Sequence, residues 1–286
     1  MTVPAAANAT SQYASSLPTL SSQTAPRATE TGPMSLRAAL STLALVLLAG
    51  CVSGGASDPL ANRQGRAEAG RAYVQLGLGY LQQGLPEQAK APLGKALALD
   101  TRNADARAAL ALVFQAEGEP ALAETQFKKA LAARPGDTRI RNNYGSFLYA
   151  QQRFAEAEQM FRLASADSLY PERSRVYENL GLTALKLENR DQAHAYLSKA
   201  LQLNQRQPRA LLEMAELSYE NRHYVPSRDY YDRFSQLSDQ SARSLLLGSR
   251  LARVFDEQGT LAELGQQLQR LYPGTPEYQQ YLSEQR

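Results

Sequence analysis

Cys51 is the one thiol among 286 residues, and His194 and His223 are the only imidazoles. A single cysteine excludes an intrachain disulfide framework and any cysteine-based metal cluster. The two histidines lie far apart in sequence and lack partners at metal-ligand or catalytic spacing. His194 directly follows Ala193 in a helical stretch and is expected at the surface. No H-E-x-x-H, G-x-S-x-G or phosphate-loop pattern occurs. Glu156 and Glu158 stand two apart on a helix, so their carboxylates do not share a face and cannot work as an acid–base pair. These features predict no catalytic residue, no metal site and no small-molecule substrate. With 31 basic against 28 acidic residues, the net charge of +3 also gives no electrostatic basis for binding nucleic acid.

The remaining chemistry belongs to Cys51 and depends on what surrounds it. Arg37 precedes AALSTLALVLL (38–48), an apolar run broken only by Ser41 and Thr42. A membrane span needs about 20 apolar residues; this shorter run suits the core of a signal peptide. Leu48-Ala49-Gly50-Cys51 resembles a bacterial lipobox. Small side chains at 49 and 50 let an extended segment enter a peptidase cleft, and the thiol is the atom that can be alkylated. Cys51 is therefore expected to carry a covalent lipid and to be the first residue of the mature chain, with no other cofactor. Residues 1–33 are rich in Ser, Thr, Ala and Pro and have no hydrophobic period. MSLRAALSTLALVLLAGC is a complete short signal peptide by itself, so Met34 is the expected translation start. Residues 51–68 read as the lipidated N-terminus and a Gly/Ser/Ala-rich tether reaching roughly 20–25 Å. Val52, in place of an Asp after the cysteine, favours the outer membrane, with the chain facing the periplasm.

From residue 69 to about 272 the sequence repeats with a period of about 34. Tyr73, Leu76, Gly77, Tyr80, Ala89, Leu93 and Ala96 mark the first block. Leu110, Ala111, Phe114, Ala123, Phe127 and Ala130 mark the second, and Tyr144, Gly145, Leu148, Ala157, Phe161 and Ala164 the third. After a two-residue slip at LYPERS the fourth carries Tyr177, Leu180, Gly181, Ala184, Ala193, Leu197 and Ala200. Two weaker blocks follow, the last with an expected turn at Gln258-Gly259, and residues 273–286 read as a capping segment. The spacing resembles the tetratricopeptide repeat (TPR). The predicted fold is all-α: a right-handed α-solenoid of about six TPR helical hairpins. The small residues let the first helix of each hairpin approach the second, and Gly and Pro close the turns.

In that fold the first helices line a groove, and their offsets 2, 5, 9 and 12 point into it. Val74, Leu78 and Leu81 with Ala108, Leu112 and Gln115 form an expected apolar trough suited to an amphipathic partner helix. Asn142 and Tyr149 continue it in more polar form. Two alternatives stay open: the N-terminal segment covers the trough, or these leucines pack within the hairpin.

AYVQLGLGYLQQG, NNYGSFLYAQQRF, LYPERSRVYENLGL, LLEMAELSYENRHYVPSRDYYDRF and SARSLLLGSRLARVF give a narrower match. They resemble the PilF/PilW family of type IV pilus biogenesis lipoproteins, over residues 69 to 282 and the lipobox. The resemblance implies an outer-membrane pilotin that binds the type IV pilus secretin subunit, carries it to the outer membrane and supports its multimerisation. It also implies an acyl anchor in outer-membrane lipid. A generic envelope scaffold, for example a regulator of cell-wall synthesis, would share the anchor and repeats but not these blocks.

Overall fold

The computed structural model describes residues 60–285; Met34, the apolar run and Cys51 lie outside the described residues. Those described form α-helices joined by short turns, with no strand among them. The chain divides into two compact units, one ending at Ala133 and the next beginning at Arg134.

The N-terminal unit holds two hairpins: α1 (Arg63–Gln82) with α2 (Pro86–Leu99), and α3 (Ala104–Ala116) with α4 (Pro120–Ala133). The first helix starts inside the stretch expected as a tether. Asn62 starts it, its side chain accepting from the Gly65 amide at 2.7 Å, and Arg66 Nη2 donates to Leu99 O at 2.8 Å, tying α1 to the end of α2. Satisfying an orphan amide at a helix start contributes about 1 kcal/mol. Each hairpin turns on a glycine in the left-handed region, Gly84 (φ 73°) and Gly118 (φ 75°), which no side chain hinders. At Gly77 an added Cβ would lie 2.6 Å from Leu93 Cγ, so the close approach of α1 to α2 requires the missing side chain.

Leu76, a repeat marker, is 49 % exposed, whereas its counterparts Leu180 and Met214 are fully buried. The helices carrying those two pack on the helix before them; α1 is the first helix described.

The C-terminal unit holds four hairpins and a final helix: α5 (Thr138–Ala150), α6 (Phe154–Ser165), α7 (Arg173–Lys186), α8 (Arg190–Leu203), α9 (Pro208–Glu220), α10 (Tyr224–Ser235), α11 (Ala242–Val254), α12 (Gln258–Leu271) and α13 (Pro276–Glu284). Gly145 against Phe161 and Gly181 against Leu197 repeat the packing of Gly77 on Leu93; a Cβ added at these glycines would fall 2.7 and 2.5 Å from the facing side chains. Further along, the filler changes. Tyr231 on α10 covers Gly248 of the next hairpin, and Tyr281 on α13 covers Gly265. Burial pushes the Tyr231 hydroxyl up to about 12.

The turn of the sixth hairpin lies two to three residues earlier than expected. Asp256 takes the left-handed conformation (φ 58°), and Gln258 and Gly259 open α12 instead. The reason is the preceding helix end, where Glu257 N donates to Ala252 O at 2.8 Å and closes α11 before Gly259 is reached. The LYPERS slip forms an ordered loop. Asp167 accepts from the Thr138 hydroxyl at 2.8 Å and from the Leu169 amide at 3.0 Å, and the Thr138 bond holds its carboxyl below the usual aspartate range. Arg250 and Arg253 grip Glu284, at 2.6 and 3.2 Å, and fasten α13 to α11.

Candidate partner-binding surfaces

In the N-terminal unit the structure corrects the expected trough. Val74, Leu78 and Leu81 are only 4–5 % exposed and pack with Leu93, Ala106, Ala109 and Val113 in the core of the unit. Small side chains on α3 let it close over α1, so the inward-pointing leucines are sealed rather than open. Burying each contributes about 1.5–3 kcal/mol, and a charge there would oppose folding before it opposed binding. Ala108 is also buried. Leu112 and Gln115 on α3 remain half-buried and reachable.

In the C-terminal unit the first helices of the hairpins present a polar face. Asn142 on α5 is buried. Its Oδ1 accepts from Asn179 Nδ2 of α7 at 3.1 Å, while its own Nδ2 has no acceptor. Glu178 is buried one residue before Asn179 on α7, accepting from the Ala210 amide of α9 at 3.2 Å. Burial pushes its carboxyl pKa up, against the pull of Arg209 and Arg175. Burial likewise raises Glu216 on α9, although Arg243 of α11 binds it. Arg243 also holds Glu213 with two bonds of 2.8 Å. Those bonds to Glu213, with Glu216 second, raise the guanidinium pKa further above its ordinary range.

Glu213, Glu216 and Arg243 border a hollow of about 280 Å³. Leu182, Leu185 and Leu217 supply its apolar lining, with Tyr149, Lys186 and Arg243 among its polar neighbours. Tyr149 is half-buried and its hydroxyl is raised by burial.

Sequence spacing alone did not bring the two histidines together, but the fold does. His194 on α8 and His223 before α10 line one cavity of about 370 Å³ with Asp191, Arg190 and Asn221. Proximity follows from the stacking of the fourth and fifth hairpins, a contact some thirty residues apart in the chain. Among the described residues, no three His, Cys, Asp or Glu side chains form a group that could hold a metal ion.

Comparison with known proteins fits this architecture. Tetratricopeptide-repeat family profiles match residues 74–137, 114–169 and 174–207. The type IV pilus assembly protein PilF of Pseudomonas aeruginosa is 56 % identical over 251 residues, covering 88 % of this chain and all of that one. A solved structure of Pseudomonas aeruginosa PilF superposes with a TM-score of 0.76 at 57 % identity, spanning 77 % of this chain and 99 % of that chain. The crystal structure of PilW, a widely conserved type IV pilus biogenesis factor, matches with a TM-score of 0.65 at 28 % identity, spanning 78 % of this chain and all of that one. The repeats, the hairpin packing and the extent of identity agree: this chain belongs to the PilF family of type IV pilus assembly proteins.

Proposed function

We propose that the chain is a lipid-anchored pilotin of the outer membrane. In this reading the lipid on Cys51 commits the protein to the outer membrane, and the segment between Cys51 and α1 gives reach. The repeat units hold the type IV pilus secretin subunit while it is carried outward and multimerises. The observation that carries the reading is the 56 % identity to a type IV pilus assembly protein over its entire length. The lipobox-like Leu48-Ala49-Gly50-Cys51 supports the anchor. One acyl chain gives marginal attachment and several give stable attachment, so a fully acylated cysteine would keep the complex on the membrane. No step requires catalysis; the work is binding and delivery.

In the N-terminal unit the accessible positions of the expected trough are Leu112 and Gln115, and these are assigned to the grip on the secretin. Cells carrying Cys51→Ser are expected to lose outer-membrane fractionation of the protein and to lose heat-resistant secretin multimers. Leu112→Asp combined with Gln115→Arg is expected to keep the protein anchored and helical by circular dichroism while secretin no longer co-purifies. Normal secretin multimers in the Cys51→Ser strain would overturn the pilotin reading. Undiminished co-purification with the double variant would overturn the placement of the grip.

A further inference from the structure

The final helix is held differently from the helices described before it. Each of α1–α12 buries at least three residues; α13 buries none. Its apolar contacts come from two half-buried tyrosines. Tyr278 and Tyr281 pack against the cluster of Ala242, Leu245 and Leu268, and Tyr281 fills the notch left by the absent side chain of Gly265. The far end of α13 is held by one carboxylate. Glu284 accepts from Arg250 Nε and Nη2 at 3.0 and 2.6 Å, and from Arg253 Nη1 at 3.2 Å. These three side chains stay 24–36 % exposed, so water competes for the pairs and each holds weakly. Ahead of α13, the Tyr272 hydroxyl donates to Gln240 O at 2.8 Å and fixes the end of α12. Pro273 and Gly274, both exposed, form the link that follows. A helix of 9 residues is not stable alone in water, so α13 keeps its shape only while docked.

We propose that α13 is a strap that opens on the Pro273–Gly274 link while the rest of the C-terminal unit stays folded. An element opens separately when its own contacts are weak beside those of the whole. Opening here breaks two tyrosine contacts and one partly hydrated ion cluster. It leaves Tyr272 on Gln240 and the buried residues of α11 and α12 in place. What it uncovers is the Gly265 notch, the apolar cluster beneath the tyrosines, and the guanidiniums of Arg250 and Arg253. Access to the last hairpin is therefore controlled by the strap and not by the stacking of the hairpins. The inference does not rest on the pilotin reading or on the grip assigned to Leu112 and Gln115.

The test is amide hydrogen exchange on the full chain, read by mass spectrometry for α13 and α11 separately. Amides of α13 are expected to exchange about a hundredfold faster than those of α11, because they open without global unfolding. Glu284→Gln keeps an acceptor and removes the charge; it should speed exchange in α13 about fivefold. Tyr281→Ala empties the Gly265 notch and should speed it about tenfold or more. Both variants should leave α11 at its original rate. Gln280→Ala, at an exposed position of the same helix, should change neither. Equal protection of α13 and α11 would overturn the proposal, and so would no response of α13 to either variant. Acceleration of α11 together with α13 would also overturn it, since the two would then open as one unit.

Discussion

The two units build the same hairpin with different materials. In the N-terminal unit both turns between paired helices use glycine, Gly84 and Gly118. In the C-terminal unit the equivalent left-handed positions are Gln152, Glu188, Arg222 and Asp256. A residue with a Cβ there is strained by about 1 kcal/mol or more. The first-helix faces differ in the same sense. Val74, Leu78 and Leu81 close theirs with aliphatic packing, while Asn142, Glu178 and the Arg243 triad keep theirs polar, with a buried carboxyl and an amide lacking an acceptor. The repeat spacing is kept throughout. What varies is how much stability each unit gives up to retain polar groups, and the unit giving up more is the one with an open hollow lined by charges of both signs.

The contrast breaks most readily at Leu78. If the N-terminal face is core, Leu78→Asp should destabilise the protein by about 3–5 kcal/mol, since it removes apolar packing and buries a charge. Thermal unfolding followed by circular dichroism measures this, and an unchanged midpoint would show the face to be open. Gly181→Val tests the shared packing. Its side chain would enter the space filled by Leu197, for an expected loss of about 2–3 kcal/mol in chemical denaturation.

Glu178 sharpens the difference between the faces. Its folded pKa lies above the ordinary 4.5. Between those values the folded state binds more protons than the unfolded one, so this group's contribution to stability is highest with the carboxyl protonated and declines as pH rises through its folded pKa. Glu178→Gln keeps the acceptor for the Ala210 amide and removes the charge. It should raise stability at neutral pH by about 1 kcal/mol and flatten that part of the pH profile, as read by denaturant titrations across the acidic to neutral range.

The smallest effect comes from the turns. Gln152→Gly, Glu188→Gly and Arg222→Gly should each stabilise by about 0.5–1 kcal/mol, whereas Gly84→Ala and Gly118→Ala should destabilise by a similar amount. Opposite signs in the two units, in matched unfolding curves, would bear out the comparison; equal signs would end it.

Much of the fold was legible because its signals are local and periodic. The pairs Gly77–Leu93, Gly145–Phe161 and Gly181–Leu197 sit at fixed offsets within one hairpin, so a period of about 34 residues exposes them. Tyr231 on Gly248 was less legible, because the tyrosine belongs to one hairpin and the glycine to the next. Gly259 was misleading as a turn signal because Glu257 had already closed α11 onto Ala252. The candidate site was the least legible part. Offsets 5, 9 and 12 identify side chains that point inward on α1, but Ala106, Ala109 and Val113 on α3 decide whether anything else can reach them.

The sequence by itself therefore determined the all-α repeat architecture and the small-residue contacts within hairpins. Each depends on residues close together in the chain, where spacing fixes geometry. Only the tertiary structure decided that Leu78 is core, that His194 and His223 share a cavity, and that Arg243 is spent on two glutamates. Exposure and charge pairing are set by what the neighbouring hairpin brings to the contact, and no repeat carries that information within its own length.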